Sequence, residues 1–379
     1  MSEAPTVTVE ILSPGDLAPV DIAAWERLQT ETVEFSNPLL GRRFSQVVAA
    51  VRDDVRVAVY RRNGQAVGFL PFHKRPGGLA RPVGAPFSDY QALVSNGHIG
   101  IPGREALALA GIRAFRANGL VDPFGQFDTR GFDEVEAFVL EPGASGEAYL
   151  EVLRVDSPKR FKNLRRLEHR LERDFGEIRF VANDRSQASF DLVLWWKSAQ
   201  FRRTGLQDVL GPQWVTQLMR NLFALESGPM TGNLASLYAG QTLVAAHFGI
   251  RQGETFHPWL ASANPALAEQ SPGQIFLVNA IRAMPQDGIA IYDLASGHDH
   301  YKRPFGPRVK IVKSGLVTAG AGRSFLPAAP APVRKVMRRL DHIATLNPTL
   351  AGRARGLAEA AVAISRRGLG NASSSEGVA

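Results

Sequence analysis

One local pattern occurs twice in this chain: two helical segments, then a strand, a glycine turn and a second strand. The first hairpin covers residues 55–73 and turns at Asn63-Gly64, a strong signal for a tight β-turn. The second covers residues 234–250 and turns at Ala239-Gly240. After the first hairpin the pattern predicts a helix over residues 105–118. Such a repeat restricts the chain to an α/β fold in which one unit occurs twice.

Two domains and a tail also suit a length of 379 residues, which exceeds what one ordinary hydrophobic core holds. Residues 141–146 (EPGASG) are typical of a linker. We therefore expect an N-terminal domain over residues 1–146 and a C-terminal, catalytic domain over residues 147–314. A basic helical extension, partly disordered, is expected over residues 315–379.

Composition excludes several classes of protein. Hydrophobic residues make up 45% of the chain and charged residues 21%, which is globular composition. No run of eighteen apolar residues is uninterrupted, and the first residues lack the basic segment of a signal peptide. We expect a cytoplasmic protein. Because the chain has no cysteine, disulfides, thiolate zinc sites, iron–sulfur clusters and cysteine nucleophiles are excluded.

The net charge of +8 is concentrated at the C-terminal end. Residues 301–379 hold 14 Lys and Arg against 3 Asp and Glu, whereas residues 1–300 are slightly acidic. This distribution does not indicate a uniformly basic nucleic-acid-binding domain. It favours local surfaces that contact phosphate groups of a nucleotide, a lipid or an activated sugar.

A candidate phosphate site precedes an apolar-periodic helix at Ser271, Pro272, Gly273 and Gln274. Serine is a favourable N-cap, and proline is favourable at the first helical position. The first turn of a helix presents free N–H groups and a partial positive charge, which suit a pyrophosphate. The alternative is a helix start with no ligand. Neither a Walker-type phosphate loop nor a strand-linked dinucleotide motif is present.

A second candidate is the loop that follows the predicted strand 289–294. Seven of the fourteen residues from Asp293 to Gly306 are ionisable or phenolic, and loops on rigid scaffolds often carry function. In this loop Tyr301 can protonate a leaving thiolate, Asp299 can accept a proton from an amine, and Lys302 can bind phosphate. His298 and His300 are alternative bases, and a solvated polar loop is the structural alternative. A metal site is not expected, since a His-x-His pair has no obvious third ligand.

Three more features are weaker candidates. His247 and His257 lie on predicted strands, where they either pack in the core or line a substrate groove together with Asp293. The helix over residues 159–173 is strongly basic on its exposed side, which suits solvent or a polyphosphate. It lacks the interleaved aromatic residues of an RNA platform.

These motifs together resemble the GNAT-like acyltransferases of cellulose and exopolysaccharide synthesis, which are related to Fem-type aminoacyltransferases. Within that group the holdfast polysaccharide N-acetyltransferases are the nearest comparison. The resemblance covers residues ~20–310. The matching positions are Trp25, Asn37-Pro38, the Gly64 to Pro71 segment, Asp89-Tyr90, the basic helix, Arg202-Arg203 with Gly205, Gly240 to His247, Ser271-Pro272-Gly273, and Asp293, Gly297, Tyr301-Lys302 and Phe305-Gly306.

The resemblance implies two tandem GNAT-like domains, each with a mixed sheet flanked by helices, and acetyl-CoA as co-substrate without a metal. It places the cofactor phosphates at residues 271–274 and the active-site pair at Tyr301-Lys302. The usual GNAT phosphate loop is shortened here to Ser-Pro-Gly-Gln. The implied function is N-acetylation of an amino sugar, or of its nucleotide- or lipid-linked precursor, for a surface polysaccharide.

Two other functions stay open at this point. A Fem-type enzyme would use aminoacyl-tRNA as donor, which the basic helix favours. A degenerate GNAT scaffold would bind a nucleotide and regulate another protein.

The basic extension carries its own binding hypothesis. Arg334, Arg338 and Asp341 have the spacing of a cyclic di-GMP site, in which arginines contact guanine and phosphate and the acid accepts from guanine. The alternative is a basic helix that is solvated or that makes a peripheral membrane contact.

Overall fold

The computed structural model describes residues 6–297, 299–320, 340, 343–349, 352–354 and 356–358. Its strands are β1 (Val7–Leu12), β2 (Val55–Arg62), β3 (Gln65–Arg75), β4 (Leu79–Arg81), β5 (Val94–Ser95), β6 (Ala114–Leu120), β7 (Asp133–Leu140), β8 (Ile178–Val181), β9 (Met230–Ala239), β10 (Thr242–Gln252), β11 (Thr255–Ala263), β12 (Ile291–Ser296) and β13 (Arg308–Thr318). Its helices are α1 (Pro19–Glu31), α2 (Arg42–Ala49), α3 (Gly103–Leu109), α4 (Gly146–Asp156), α5 (Pro158–Phe175), α6 (Gln187–Arg203), α7 (Gln213–Phe223), α8 (Pro272–Ala283) and the single turn α9 (Asp299–Lys302). Short 3-10 segments, such as Pro265–Gln270, connect some of them.

All the named strands belong to one mixed sheet with helices on both faces, which confirms the predicted α/β class. The order across the sheet is β1-β2-β3-β4-β6-β13-β7-β12-β11-β10-β9-β8, with β5 paired to β3. The order is symmetric about its centre, since β1 to β4 and β6 on one side match β8 to β12 on the other. Both predicted hairpins are present, as β2–β3 and β9–β10. We call the two sides the first and second units.

The central strands are exchanged between the units. Strand β7 belongs to the N-terminal part of the chain, yet it pairs with β12 of the second unit. Strand β13, late in the chain, pairs with β6 of the first unit and with β7. The predicted boundary at residues 146/147 stays a prediction, and the sheet is continuous across it.

The turn of the first hairpin shows how local sequence sets this geometry. Asn63 and Gly64 have φ values of 51° and 78°, the left-handed conformation that a two-residue turn of type I′ requires. Asparagine and glycine tolerate that conformation better than other residues do. The register of β2 with β3 therefore follows from two residues.

One face of the sheet has a hydrophobic core that both units share. Helices α1, α2, α6 and α7 cover it, and it contains Trp25, Phe44, Phe190 and Phe248. Each fully buried side chain of this size contributes about 1.5–3 kcal/mol to folding. The opposite face has separate cores, one beneath α3 and one beneath α4, α5 and α8. The shared core joins the two units.

The single helix predicted over residues 105–118 is wrong. The structure has α3, which ends at Leu109, and then strand β6. Gly111 turns the chain with φ 68°, and from Ala114 onwards the backbone is extended with Phe115 and Ala117 buried. Alternating small and large residues fit both a helix and a strand over so few positions. Of the predicted extension, residues 321–339 lie outside the described part.

Candidate active site

Each unit contains a cleft where two parallel strands diverge. Strands β4 and β6 pair only at Leu79–Ala114 and Ala80–Phe115. Strands β11 and β12 pair only at Thr255–Ile291 and Phe256–Tyr292. Beyond these two rungs the strands separate, which leaves backbone groups that need other partners. We call these openings the first and second clefts.

A segment of the chain itself fills the first cleft. In this plug, residues 88–93, Gln91 donates its backbone N–H to Gly119 (2.9 Å) and accepts from Val121 (2.7 Å). Its side-chain oxygen accepts from the N–H groups of Asn118 (2.7 Å) and Gly119 (3.2 Å). A Cβ on Gly119 would lie 1.8 Å from the carbonyl oxygen of Asp89, so only glycine permits this approach. The first cleft is closed by hydrogen bonds of β type.

The second cleft has a bulged wall. Gly249 of β10 pairs with Pro258 and Phe248 with Leu260, so Trp259 is an extra residue on β11. Trp259 contacts the aromatic ring of Phe44 at 5.4 Å between centroids. Its indole N–H is buried and has no partner among the described residues. A bulge leaves its extra residue outside the regular pairing of the strand, and the unpartnered indole N–H belongs to that residue.

Two lysines hold the strand ends on opposite sides of this cleft. Lys197 donates to the carbonyl of Ala261 on β11 (3.1 Å). Lys302 donates to the carbonyls of Leu294 (2.5 Å) and Ser296 (2.7 Å) on β12. Burial and the charge of Lys302 lower the pKa of Lys197. The ammonium of Lys302, predicted to bind phosphate, thus supports the wall of the cleft.

The predicted phosphate turn begins α8 beside the second cleft. Ser271 occupies the N-cap position but has φ 51° and makes no side-chain cap bond, so its expected capping role is wrong. As the second helical residue, Gly273 has no residue four positions earlier in the helix to accept its N–H. Arg160 of α5 donates to the side-chain oxygen of Gln274 (3.1 Å). Together with Pro272, these residues form a turn in which the N–H of Gly273 has no helical acceptor and a guanidinium lies nearby.

Tyr301 lies against this turn. Its hydroxyl donates to the carbonyl of Gly273 (2.9 Å), and its ring packs on the core beneath α8. Burial raises the pKa of the Tyr301 phenol well above its usual range. The group therefore stays protonated at neutral pH. For the neighbouring Asp299, only the backbone is described.

His247 lies in the core rather than at the cleft surface. Its Nδ1 is 2.8 Å from the hydroxyl of Tyr292, and its ring is 4.2 Å from that of Phe276. Burial, reinforced by the charges of Lys197 and Lys302, lowers the pKa of His247 to about 3. The ring is neutral, and its predicted role in substrate binding stays a prediction.

The other two predicted substrate residues join the units through a buried network, which we call the seam network. The Asn37 side-chain amide donates to Asp293 (3.1 Å) and lies 3.1 Å from Nδ1 of His257. Tyr90 donates to the second oxygen of Asp293 (2.6 Å). Nε2 of His257 lies 3.0 Å from Asp89. His257 and Asp293 are the first residues beyond the last rung between β11 and β12, so this network lies at the apex of the second cleft.

The hydrogen-bond pattern assigns the tautomer of His257. The side-chain oxygen of Asn37 accepts from the N–H of Leu39 (3.0 Å), so its nitrogen is the atom that faces His257. That nitrogen only donates, and Nδ1 of His257 must therefore accept. The proton is then on Nε2, which donates it to Asp89. Both ring nitrogens are engaged.

Part of the second unit matches a known protein family. Residues 158–303 match the family described as "Acetyltransferase (GNAT) domain". The second unit carries a GNAT acyltransferase domain. The matched residues run from α5 to α9 and include the second cleft, the turn at Gly273 and Tyr301. This confirms the enzyme class and the GNAT part of the resemblance.

Three solved structures are similar to the chain at low sequence identity. The C-terminal domain of a putative lysylphosphatidylglycerol synthetase from Agrobacterium fabrum is 12% identical over 84% of this chain and 95% of that one, with a TM-score of 0.47. FemX is 11% identical over 70% and 87%, with a TM-score of 0.46. A tandem GNAT protein of clavulanic acid biosynthesis is 13% identical over 84% and 100%, with a TM-score of 0.45. No curated protein matched the sequence.

The site also contains residues that sequence reasoning did not assign. Asn37, Asp89 and Tyr90 lie outside the matched GNAT domain, and they had been noted only as marks of the resemblance. All three are polar or phenolic residues in irregular segments, which is the signal that could have selected them. The predicted cyclic di-GMP residues Arg334, Arg338 and Asp341 lie outside the described residues.

The described residues contain neither a metal-binding cluster nor a membrane-spanning helix. No group of three or more His, Asp or Glu side chains is arranged there to hold a metal ion. None of the described helices has both the length and the apolar character to cross a bilayer.

Proposed function

We propose that the GNAT domain transfers an acetyl group from acetyl-CoA to the amino group of an amino sugar, in a precursor of a surface exopolysaccharide such as a holdfast or cellulose-like polymer. The observation that carries the proposal is the contrast between the clefts. The second cleft has a bulged wall, an unpartnered indole N–H and a protonated phenol at its edge, while the first is filled. The amino-sugar acceptor rests on the resemblance to exopolysaccharide acyltransferases, and a cytoplasmic location follows from the use of acetyl-CoA.

The start of α8 would receive the donor's phosphates. Its first-turn N–H groups and the positive end of the helix dipole favour an anion. Arg160, held at Gln274, adds a full positive charge beside the turn. Gly273 keeps the approach to the backbone open, because its hydrogen leaves room that a larger side chain would fill.

The chemistry requires an oxyanion donor and an acid. Attack of the amine on the thioester carbon places negative charge on the carbonyl oxygen, which backbone N–H groups at the β11 bulge are positioned to stabilise. When the carbon–sulfur bond breaks, the thiolate takes a proton. Tyr301 supplies this proton, since its phenol is protonated and lies beside the turn at residues 271–274, which we call the donor turn.

Lys302 serves this chemistry through the strand end that it holds. Its bonds to the carbonyls of Leu294 and Ser296 fix the part of β12 that forms one wall of the cleft. Removing its ammonium would leave these carbonyls without that partner. We therefore expect Lys302→Ala to lower the melting temperature as well as turnover.

The test is direct transfer with purified protein. Acetyl-CoA binding is measured by calorimetry, and release of free thiol is followed with D-glucosamine as the acceptor. Donor binding with acetylation of the amine supports the proposal. Binding without transfer to this or any other amine contradicts it.

A second candidate is supported by helix α5. Lys159, Lys162 and Arg165 have no acidic partner among the described residues, and the same helix contacts the donor turn through Arg160. A donor with a long phosphate backbone, aminoacyl-tRNA, would suit this arrangement. Transfer from aminoacyl-tRNA that is lost in Lys162→Glu, with no reaction from acetyl-CoA, would favour this function. A protein that binds nucleotides but transfers no group would fit the degenerate scaffold.

Cyclic di-GMP control through Arg334, Arg338 and Asp341 is a separate proposal. It rests on the spacing of these residues and on the proposed link to surface polysaccharide. Calorimetry with full-length protein, a truncation after residue 320 and Arg338→Ala tests it. Binding that survives the truncation would rule these residues out, and vesicle binding would then test the alternative membrane contact of the basic extension.

A further inference from the structure

Asp89 reaches the GNAT domain from the first unit. It belongs to the plug that fills the first cleft, and it accepts the Nε2 proton of His257 in the second (3.0 Å). Its side chain is 37% exposed, whereas that of His257 is fully buried. Asp89 is thus the seam residue that a ligand entering between the units meets first.

His257 and Asp293, two other titratable members of the seam network, have a partner at every nitrogen or oxygen of their side chains. His257 uses both ring nitrogens, with Asn37 and with Asp89. One oxygen of Asp293 accepts from Tyr90 and from the N–H of Ala295, and the other accepts from Asn37. Each ring nitrogen and each carboxylate oxygen of these two groups therefore already has a partner within the protein.

Asp89 differs from them. Among the described residues, the Asp89 carboxylate has one hydrogen-bond partner, His257. That bond uses one of the two carboxylate oxygens. The second oxygen is left for a donor from solvent or from a ligand. Lys310, from the exchanged strand β13, lies 3.8 Å from Asp293 and balances the deeper carboxylate. The charge that faces the opening is therefore the negative charge of Asp89.

We propose that Asp89 binds the amino group of the acceptor and removes its proton during transfer, so that the acceptor enters at the seam between the two units. This rests on the proposed function and adds the group that handles the amine. The expected ligand class is a primary amine, which is attracted as an ammonium ion and reacts as the neutral amine.

The proton balance is as follows for one transfer. The bound ammonium ion first releases one proton to solvent. The neutral amine then attacks the thioester carbon, which forms a carbon–nitrogen bond and leaves a positive charge on nitrogen. That nitrogen is now strongly acidic, and Asp89 takes one proton from it. The carbon–sulfur bond breaks, and the sulfur takes the proton of Tyr301. Exchange with solvent returns a proton to Tyr301 and removes one from Asp89.

Asp89→Asn is the decisive variant. The amide oxygen of asparagine still accepts the proton of His257, so the structural bond is kept while the negative charge and the basicity are lost. General-base catalysis is typically worth 10²–10⁴-fold, and we expect kcat/KM for D-glucosamine to fall by about 100-fold or more. The affinity for acetyl-CoA and the melting temperature should stay close to wild type.

Two further variants complete the design. Asp89→Glu keeps the carboxylate and should recover part of the lost rate, a rescue that a purely structural role would not produce. Asp128→Asn removes an exposed carboxylate of the same unit, paired with Arg130, and should behave as wild type.

The possible outcomes distinguish failure of the role of Asp89 from failure of the proposed function. Unchanged kcat/KM in Asp89→Asn overturns the role of Asp89 and leaves the proposed function intact. An equal loss of donor binding or of melting temperature shows a structural role and also overturns it. If wild-type protein binds acetyl-CoA but acetylates no amine, the proposed function fails and this inference fails with it.

Discussion

The two clefts differ in what occupies them, although the strands that form them pair in the same way. In the first, Gln91 completes the hydrogen bonding of β6 from within the chain. In the second, two lysines hold the strand ends, and the indole N–H of Trp259 at the bulge has no partner among the described residues. A repeated unit can thus keep its framework in both copies while a segment of the chain fills the first of them.

The filled unit still takes part in the site. The residues that follow Ser88 place Gln91 against β6, and the same short segment directs Asp89 and Tyr90 towards His257 and Asp293. The conformation of the plug, residues 88–93, therefore both fills the first cleft and supports the second. The first unit is therefore a structural component of the candidate site in the second unit.

The largest difference between the units should appear in two phenols that each donate to a carbonyl of a helix. Tyr301 donates to a carbonyl of α8, and Tyr60 donates to the carbonyl of Ala106 in α3 of the first unit (2.9 Å). Removing an acid from a transfer reaction typically costs 10²–10⁴ in rate, so Tyr301→Phe should lower kcat by about that factor with little change in acetyl-CoA affinity. Tyr60→Phe is the control and should leave kcat unchanged. Equal effects of the two substitutions on kcat would contradict the assignment of the acid.

The pH dependence of stability sharpens the comparison of the matched strands β3 and β10. His247 has a folded-state pKa of about 3 against an ordinary value of 6.5, so the folded state favours the neutral ring. The neutral ring therefore adds to the free energy of unfolding above pH 6.5. This contribution, about 3–5 kcal/mol, is lost as the pH falls from 6.5 towards 3. Urea unfolding between pH 7.5 and 4 measures it. His247→Gln should flatten the decline.

His73 on β3 provides the counterpart in the first unit. Burial lowers its pKa as well, while Asp54, 2.8 Å away, opposes that shift. Stability that does not change between pH 7.5 and 4 would show that neither ring is held neutral.

The next smaller effect is the loss of stability that we expect when a substitution opens the first cleft. Gln91→Ala removes the acceptor of the N–H groups of Asn118 and Gly119, and leaving the N–H of the buried Gly119 unpaired should cost about 2 kcal/mol of unfolding free energy. Gln65→Ala, at an exposed position of β3, is the matched control. The variant should gain no binding of acetyl-CoA. Added donor binding would mean that only the plug distinguishes the clefts.

The smallest effect concerns the donor turn. A Cβ at Gly273 would lie 3.1 Å from the hydroxyl of Tyr301, so valine there must displace the phenol and crowd the turn. We expect Gly273→Val to weaken acetyl-CoA binding about tenfold, or about 1.4 kcal/mol, by calorimetry. Gly15→Val, where no atom lies within 4 Å of the added Cβ, is the control. Unchanged affinity would show that the turn only begins a helix.

Features set by neighbouring residues could be predicted from the sequence. Asn63-Gly64 located the first hairpin, and Pro272 located the start of α8, since turns and first helical turns depend on a few adjacent positions. Strand β13 was missed because its partners, β6 and β7, are about 170–200 residues away. The position of β13 at the centre of the sheet cannot be derived from the alternation of apolar and polar residues along the strand itself.

The candidate site divides in the same way. Tyr301 and Gly273 stand out in local motifs, and their contact spans 28 positions. The seam contacts of Asn37 with His257 and Asp293 span 220 and 256 positions. No spacing rule connects residues so far apart. The tautomer of His257 depends on such contacts and could only be obtained from the fold.

The exchange of β7 and β13 has a consequence for synthesis of the protein. A ribosome releases the chain from its N-terminus, so both half-sheets can form before residues 308–318 emerge. Until then β6 and β7 present open edges, and such edges pair readily with other chains. The strand made last of all is the one that completes the middle of the sheet. Slow translation just before β13 would therefore prolong the interval in which the nascent chain is most prone to aggregate.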